Sequence, residues 1–468
     1  MTDQSFRLSA EERERHAALS PAQVRFLDFV ANNPECLSEA SFSKVLIFDD
    51  LNPYLTQPWP LFLDSRWFEG VGRVASDLCR LIQQLPQKVF DNDPQRMAEY
   101  FGLTVENAKF TAALIAQTDC LASTVGRGDF IGSPAALQCC EFNMAGAVGG
   151  WQIGAWQERS LSEPVIRRFL AESRLDGSIV VPIDVLFDHL VDDVTSHGLA
   201  ANGELNTVLV LNREMPPAWH DYFDRRYRAV LAAHGGVAGR LVVGPHDATR
   251  AVHGGIAVEG LPVQAVIDCV MGRLDNCVQM AQLNGEVRVF NGLLSLLLSN
   301  KLNIALLSEL ADSDLLSASE RETIRTHVPW SRRVAEEFTE HENERVYLPD
   351  LLLAARERFV LKLGESLSGA HVHIGRTTPA ATWEALVEQA LLERTWLVQE
   401  YVPSPSYIFL DQEERAVPHE MVWGIFAVGE RFSGGFLRSV PEVLSQGGVV
   451  NQSRGARSGA IVSVEAAA

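Results

Sequence analysis

Four polar residues in the second hundred positions have the types and spacing of a metal and phosphate site. Glu141 and Asn143 stand two apart, so in an extended strand their side chains share one face. Asp129 comes twelve positions before Glu141 and is expected on the neighbouring strand of a hairpin, with Arg127 on the same face. Carboxylate and amide oxygens suit Mg²⁺, and the arginine would reach a phosphate. The alternative is two unrelated polar spots on strand edges.

A lysine followed by a loop of small residues lies further along the chain. Lys362 stands near the end of a predicted strand at 358–363, and Gly369 lies in the loop before a second predicted strand at 371–375. An ammonium group and the N–H groups of such a loop can clamp phosphate oxygens. The alternative is an ordinary hairpin with a solvated lysine.

A third apolar strand, predicted at 395–402, contains Gln399 and Glu400. Its backbone would meet an adenine edge, and the carboxylate would accept hydrogen bonds from ribose hydroxyls. The alternative is an edge strand with a surface glutamate.

The order of these pieces is more specific than any one of them. Strand with Lys362, loop, strand, helix at 379–394 and strand with Glu400 is the order of the nucleotide-holding module of ATP-grasp enzymes, and the two residues are 38 positions apart. In most such enzymes the acidic metal ligands follow the module, but here they precede it. From about residue 119 on, the chain therefore resembles the circularly permuted ATP-grasp ligases, typified by the synthetase domain of glutathionylspermidine synthase.

This resemblance implies a role for each candidate residue. The implied magnesium ligands are Asp129, Glu141 and Asn143. The implied ATP contacts are Lys301 and Lys362 as first and second lysines, with Gly369, Gln399 and Glu400. The implied catalytic residues are Arg127 at the γ-phosphate, Lys362 and the late arginine Arg438.

The chain departs from the family pattern mainly around its lysine loop. Leu363 stands where proline usually follows the lysine, and the loop reads Ser-Gly-Ala-His instead of holding a Gly-Gly pair. Met144 begins a small-residue stretch where Asp/Thr-Pro often follows the Glu-x-Asn motif. These departures concern loop closure and the acceptor pocket more than the ATP site.

The elements that must position these residues fall into three expected regions. Residues 1–118 read mainly as helices, at 8–35, 70–85 and 93–118. Residues 119–290 contain a strand at 137–142 and then alternate helices with apolar strands, the clearest being 207–211, 240–243 and 255–258. This alternation predicts an α/β layer with parallel strands.

Residues 291–468 read as an α+β domain. Beyond the strands already named, strands are predicted at 406–410 and 421–428, with a hairpin turn at 429–430. With the resemblance, the fold class is a multidomain α/β and α+β protein that has a circularly permuted ATP-grasp fold and a helical N-terminal region.

Composition limits the function classes. The 468 residues are 47% hydrophobic and carry a formal net charge of −20, with a pI near 5.1, so neither nucleic acid nor an anionic membrane is an expected partner. The most apolar stretch, 292–310, is interrupted by polar residues and is predicted to be a buried helix, not a membrane span. Seven cysteines without framework spacing and a polar N-terminus predict a cytoplasmic location.

The function that the resemblance implies is ATP-dependent carboxylate–amine ligation. An amide bond would form through an acyl phosphate, with release of ADP and phosphate. ATP and Mg²⁺ are the implied cofactors, the partners are small-molecule carboxylate and amine substrates, and a homodimer stays open. The alternatives are a non-catalytic ATP-grasp-like nucleotide-binding scaffold or partner subunit, and a kinase-like enzyme that stops at phosphate transfer.

Overall fold

The computed structural model describes most of the chain. The described ranges are 6–33, 55–117, 119–146, 149–150, 153–200, 202–211, 215–245, 247–366, 369–411, 415–445, 448–451 and 455–466. Within them the strands form one sheet of eight strands, two of four, one of three and one of two. No helix in these ranges has both the length and the apolarity needed to cross a membrane.

The N-terminal part is mostly helical. Its helices are α1 (Ala10–Leu19), α2 (Pro21–Asn32), α3 (Ser65–Phe90), α4 (Pro94–Phe101) and α5 (Val105–Gln117). The helix predicted at 93–118 begins as expected, because the Asp93 side chain accepts hydrogen bonds from two backbone N–H groups of the first turn. However, it is two helices, since Gly102 adopts a φ of +70° and ends the first.

The eight-stranded sheet, called the large sheet below, combines strands from both ends of the chain. It contains β1 (Leu61–Asp64), β2 (Val125–Ile131), β3 (Gln138–Asn143), β4 (Leu175–Ser178), β18 (Ser406–Leu410), β19 (Ala416–Val428), β20 (Arg431–Pro441) and β21 (Arg457–Ala466). The order is β1-β21-β20-β19-β2-β3, with β18 beside β19 and β4 beside β21. β1 was not predicted, and it pairs in parallel with β21, so the region expected to be helical also contributes to this sheet.

The predicted parallel layer is present between the helices of the middle region. Its strands are β5 (Thr207–Leu211), β6 (Leu241–Pro245), β10 (Ala265–Asp268) and β11 (Arg288–Phe290), in the order β11-β10-β5-β6. All three neighbouring pairs are parallel. Helices α8 (Pro182–Ser196) and α9 (Pro217–His234) share a buried apolar cluster with this sheet.

The strand predicted at 255–258 does not belong to the parallel layer, which corrects the sequence interpretation. It is β8 (Gly255–Val258), the central strand of an antiparallel sheet with β7 (Thr249–Val252) and β9 (Leu261–Val263). The connections on either side are only two residues long. Such connections make hairpins, whereas a parallel pairing needs a crossover of a dozen residues or so.

Six further helices are described between residues 154 and 327. They are α6 (Gly154–Ser162), α7 (Pro164–Ser173), α10 (Asn276–Leu283), α11 (Leu294–Leu298), α12 (Leu302–Glu309) and α13 (Ala318–His327). The apolar stretch 292–310 is thus buried, as predicted, but it forms two short helices. The Asn300 side chain accepts a hydrogen bond from the Leu302 N–H at 3.0 Å, at the beginning of the second helix. Lys301 is the N-cap residue of this helix.

A second sheet of four strands, called the small sheet below, carries the predicted lysine module. Its strands are β12 (Ser331–Arg333), β15 (Phe359–Leu363), β16 (Val372–Ile374) and β17 (Trp396–Glu400), all antiparallel in the order β12-β17-β15-β16. Helices α14 (Leu348–Ala354) and α15 (Ala380–Glu393) pack on it through a shared apolar cluster, and β13 (Phe338–His341) and β14 (Glu344–Tyr347) form a hairpin beside it. The three strands and the helix predicted for this module are confirmed to within about three residues.

Candidate active site

A cavity of about 350 Å³ lies between the large sheet and the small sheet. Five of the predicted site residues line it from the large sheet: Arg127, Asp129, Glu141, Asn143 and Arg438. Four more line it from the other side: Lys362, Gly369, Gln399 and Glu400. Residues separated by more than 300 positions in sequence therefore meet in one space. The remaining predicted residue, Lys301, does not line the cavity.

Strand register explains why the large-sheet residues share one face. On the hairpin of β2 and β3, Asp129 lies opposite Glu141 and Arg127 lies opposite Asn143. Directly opposite residues of antiparallel strands project to the same side. The sequence prediction of a hairpin that brings Asp129 beside Glu141 agrees with this register.

Asp129 is held between two arginines. Arg127 Nε lies 2.7 Å from Asp129 Oδ1 and Arg127 Nη2 lies 3.0 Å from Oδ2, so both carboxylate oxygens accept from this guanidinium. Arg438 Nη2 lies 2.8 Å from Asp129 Oδ1. All three residues are buried, and although burial alone raises the pKa of Asp129, the two guanidinium groups lower it to about 2. The carboxylate is therefore ionised under all ordinary conditions.

A phenylalanine and a glycine shape the floor around this ion triad. The guanidinium carbons of Arg127 and Arg438 lie 5.7 and 5.8 Å from the centroid of the Phe436 ring, within the range of cation–π attraction. Gly424 lies beneath them, where a Cβ would come within 2.6 Å of the Phe436 ring and 3.0 Å of Arg127 Cδ. The floor therefore needs a residue without a side chain at 424, which the sequence analysis did not identify.

Lys301 lies behind the cavity wall and acts on it indirectly. Its ammonium donates to the carbonyl oxygen of Ser366 and lies 3.5 Å from Glu141 Oε1. Its backbone N–H donates to the carbonyl oxygen of Gly364 at 2.9 Å. The lysine is only 3% exposed. It thus ties the beginning of the loop after Lys362 to the acid on β3.

Lys362 bridges the two sheets. Its ammonium donates to the carbonyl oxygen of Cys140 at 2.9 Å and to Gln399 Oε1 at 2.7 Å. Gln399 in turn donates from Nε2 to Ser331 Oγ at 3.1 Å. The predicted alternative of a solvated lysine in an ordinary hairpin is wrong, because Lys362 is buried.

Glu400 lines the cavity from the end of β17. Its Oε1 lies 2.9 Å from His341 Nε2 and 3.2 Å from Arg358 Nη2. The predicted alternative of an edge strand is also wrong, because β17 lies between β12 and β15. For the same reason the backbone N–H of Glu400 donates to the carbonyl oxygen of Trp330 at 2.8 Å and does not face the cavity.

The loop after Lys362 meets a second segment across the cavity mouth. Leu367 and Ser368 lie outside the described residues, but Gly369 is described and has a φ of +67°, which favours glycine. A Cβ on Gly369 would lie 3.1 Å from Val449 Cγ1, so the two segments are in close contact. Val449 follows the short helix α16 (Glu442–Ser445) that comes directly after β20.

Glu420 also lines the cavity and was not predicted. It stands on β19 two positions before Val422, which also lines the cavity. The period-two alternation that linked Glu141 with Asn143 applies here too. It gives the signal by which sequence reasoning could have found this glutamate.

Glu141 and Asn143 have the donor chemistry of a Mg²⁺ site, whereas the predicted third ligand, Asp129, is paired with arginine. Glu141 and Asn143 offer a carboxylate and an amide oxygen on one face of the cavity, and Mg²⁺ is commonly held by one or two such groups together with water and phosphate oxygens. Asp129 has both oxygens in contact with arginine. Among the described residues, no group of three or more His, Cys, Asp and Glu side chains is arranged to hold a metal ion.

Comparison with known proteins shows a similar fold. The chain matches no protein-family model and no curated protein sequence. It is similar to the apo structure of a glutathione synthetase-like effector from Globodera pallida, with a TM-score of 0.59 and 11% sequence identity over 92% of this chain and 97% of that one. At this identity the likeness concerns the fold alone.

A second solved structure shares 11% identity over 77% of this chain and 82% of its own, with a TM-score of 0.37. It is a Methylobacillus flagellatus protein named provisionally as a gamma-glutamylcysteine synthetase. This TM-score is too low for the likeness to carry a structural argument.

Proposed function

We propose that the protein is an ATP-dependent carboxylate–amine ligase built on a circularly permuted ATP-grasp core. The observation that supports this most is that Glu141 and Asn143 of the large sheet line the same cavity as Lys362 and Glu400 of the small sheet. The fold likeness to a protein described as a glutathione synthetase-like effector agrees with this class of activity. The volume of the cavity, about 350 Å³, lies within the range of small-molecule sites.

In this proposal the small sheet holds the nucleotide. Lys362 would contact its phosphates, with Gly369 in the loop above them, and Gln399 and Glu400 would lie toward the base and ribose. Lys301 would act through the loop, because its ammonium is bonded to Ser366 and does not reach the cavity.

Glu141 and Asn143 would hold Mg²⁺, which when bound supplies positive charge that neutralises the phosphates. The chain's own cations do the same work in fixed positions. Arg127, Arg438 and Lys362 are buried at the cavity wall, where charge interactions are stronger than in water.

The reaction would proceed in two steps. A substrate carboxylate attacks the γ-phosphorus of ATP, the bond to the β-phosphate oxygen breaks, and an acyl phosphate and ADP form. An amine then attacks the acyl carbon, loses a proton and expels inorganic phosphate, leaving an amide. Phosphoryl transfer depends mainly on positioning and charge neutralisation, which the buried cations provide. The loop at 364–371 would exclude water from the acyl phosphate.

A non-catalytic nucleotide-binding protein is the second candidate. One observation favours it: both lysine ammonium groups are engaged within the protein, Lys301 with Ser366 and Lys362 with Cys140 and Gln399. In a scaffold these bonds would persist when the nucleotide binds, whereas in a ligase at least Lys362 would turn to the phosphates.

ADP release measured over a panel of carboxylic acids and amines, including amino acids and polyamines, tests the proposal. The expected result is ADP formation that needs Mg²⁺ and an acid, together with a new amide detected by its mass when the amine is added. Nucleotide binding without ADP release for every pair would indicate the scaffold. A phosphorylated product without an amide would indicate the kinase-like alternative, and no ATP binding would refute all three.

A further inference from the structure

We propose that Asp129 is a positioning residue that fixes Arg127 and Arg438 at the cavity floor, and that it is not a magnesium ligand. The inference rests on the proposed function, since it concerns the same site. It departs from the role that the sequence resemblance implies for Asp129. It also leaves Glu141 and Asn143 as the two protein groups that hold the metal.

The carboxylate of Asp129 is already in contact with two arginines. Both of its carboxylate oxygens accept hydrogen bonds from Arg127, at 2.7 and 3.0 Å, and Oδ1 also lies 2.8 Å from Arg438 Nη2. A two-pronged guanidinium–carboxylate pair of this kind is among the strongest and most directional contacts in proteins. Oδ1 therefore already has two guanidinium contacts, and a cation could approach only the remaining lone pair of Oδ2, directly beside Arg127 Nη2.

The net charge around Asp129 also disfavours a metal ion there. Arg127, Asp129 and Arg438 are 8%, 9% and 6% exposed, so they form a nearly dry triad with one net positive charge. A divalent cation at Asp129 would lie beside two guanidinium groups and be repelled by both. Conversely, removing the carboxylate would leave two buried guanidinium groups without the negative charge that lies between them, which is costly.

The contrast with Glu141 supports the division of roles. Glu141 lies opposite Asp129 on the next strand, and its side chain is 23% exposed, against 12% for Asp129. Among the described residues, the cation paired with it is Lys301, whose Nζ is 3.5 Å away, a looser contact than any in the triad. The Glu141 carboxylate can therefore turn to a metal ion without breaking a two-pronged ion pair.

The hydrogen-bond donors of the two arginines differ in their partners. Arg438 lines the cavity, and its Nε is buried without a hydrogen-bond acceptor among the described residues. Arg127 Nη1 donates to the carbonyl oxygen of Gly149 at 2.9 Å, which fixes the far end of that guanidinium to the loop after β3. Asp129 thus holds both guanidinium groups at the cavity wall, where their positive charge faces an anion in the cavity.

Mn²⁺ binding in the presence of ADP, followed by electron paramagnetic resonance, separates the two roles. Glu141→Gln and Asn143→Ala are expected to weaken Mn²⁺ binding by about tenfold or more. Asp129→Asn adds one net positive charge, so a smaller loss is expected. Asp129→Asn combined with Arg438→Gln restores the charge and should bind Mn²⁺ more tightly than Asp129→Asn alone. An Asp129→Asn loss as large as that of Glu141→Gln, not recovered in the double variant, would overturn the inference.

Thermal unfolding without metal or nucleotide gives an independent readout. The two substitutions, Asp129→Asn and Arg438→Gln, should be strongly non-additive, with the double variant more stable than Asp129→Asn alone. Additive effects would contradict the positioning role. If Asp129→Asn alone does not fold, a folded double variant supports the inference, and two unfolded variants beside a folded Glu141→Gln oppose it.

The same experiments distinguish failure of the inference from failure of the proposed function. Wild-type protein that binds neither ADP nor Mn²⁺ would refute the ligase proposal. The unfolding cycle uses no ligand, so it would still decide whether Asp129 fixes Arg438.

Discussion

The ammonium of Lys362 donates a hydrogen bond of 2.9 Å to the carbonyl oxygen of Cys140, and this bond joins the small sheet to the large one. Cys140 directly precedes Glu141 on β3. The lysine that would contact phosphate and the acid that would hold the metal are therefore fixed relative to each other by one contact across the cavity. Any movement of the small sheet that opens the cavity must break or lengthen this bond.

Lys362→Met tests the role of this ammonium. Methionine keeps an unbranched apolar stem but removes the charge, and ADP release is expected to fall by about 10²–10³-fold, as for other single charge-stabilising donors. Two buried acceptors, Cys140 O and Gln399 Oε1, would lose their donor, so the free energy of unfolding should fall by about 1–3 kcal/mol. Lys109→Met, at an exposed helical position, is the matched control. ADP release at the wild-type rate in Lys362→Met would contradict the prediction.

Glu141→Gln tests the metal role apart from stability. The substitution keeps the size of the side chain, and the Mg²⁺ concentration needed for half-maximal nucleotide binding should rise by about tenfold or more. The ion pair with Lys301 spans 3.5 Å, and the buried ammonium keeps its bond to Ser366, so the free energy of unfolding should fall by no more than about 1–3 kcal/mol. Titration of nucleotide binding with Mg²⁺, beside a thermal unfolding curve, checks both parts.

Glu388→Gln, at an exposed position of helix α15, is the control for this experiment and should change neither quantity. An unchanged Mg²⁺ requirement in Glu141→Gln would remove Glu141 from the proposed metal site. A large loss of stability would instead give the residue a structural role.

Local patterns predicted most elements around the site. Period-two alternation placed Glu141 and Asn143 on one face, and the order of lysine, loop and helix predicted β15, β16, α15 and β17. These signals depend on neighbouring residues, which is why a single sequence reveals them.

The partners of these elements could not be predicted, because they come from distant parts of the chain. β1 pairs with β21 about 400 positions away, and β12 places β17 inside the small sheet. The same holds for the site: no local pattern shows that Arg438 reaches Asp129 or that Lys301 is buried behind the loop. The apolar pattern at 255–258 predicted a strand but not the direction of its partners. The two-residue connections beside it indicate antiparallel pairing.

Gly424→Ala tests the packing of the cavity floor. The added methyl would come within 2.6 Å of the Phe436 ring and 3.0 Å of Arg127 Cδ, so one of these side chains must move. Overpacking of this kind is expected to lower the free energy of unfolding by about 1–3 kcal/mol. Because Arg127 would shift, ADP release should fall as well, by more than the fraction of unfolded protein explains.

Gly70→Ala is the matched control for this substitution. Gly70 lies inside helix α3, where a Cβ would contact only Arg73 Nη2 at 3.7 Å. Alanine there should raise the free energy of unfolding by about 0.5–1 kcal/mol, since glycine is the poorer helix former. Unfolding curves for the two variants should therefore shift in opposite directions, and equal shifts would contradict the predicted crowding at Gly424.

Two buried histidines make the fold sensitive to mild acid. Burial lowers the pKa of His16 from 6.5 to about 4 and that of His419 to about 3. His16 Nε2 accepts a hydrogen bond from the Ile408 N–H at 3.0 Å, which requires the neutral ring and docks helix α1 on β18. Below pH 6.5 the ring of His16 binds a proton in the unfolded chain but not in the folded protein. Its contribution to stability is therefore fully present above pH 6.5 and is lost as the pH falls toward 4.

For His16 alone, this loss should reach on the order of 3 kcal/mol near pH 4. Thermal midpoints measured between pH 7.5 and about 4 check it. His16→Gln should be less stable than wild type at pH 7.5, because the buried ring is lost, but its midpoint should fall less steeply with acid. His253→Gln, at an exposed position, should follow the wild-type curve. A His16→Gln slope equal to that of the wild type would show that the pKa of His16 is the same in the folded and the unfolded protein, and that its burial does not govern the acid sensitivity.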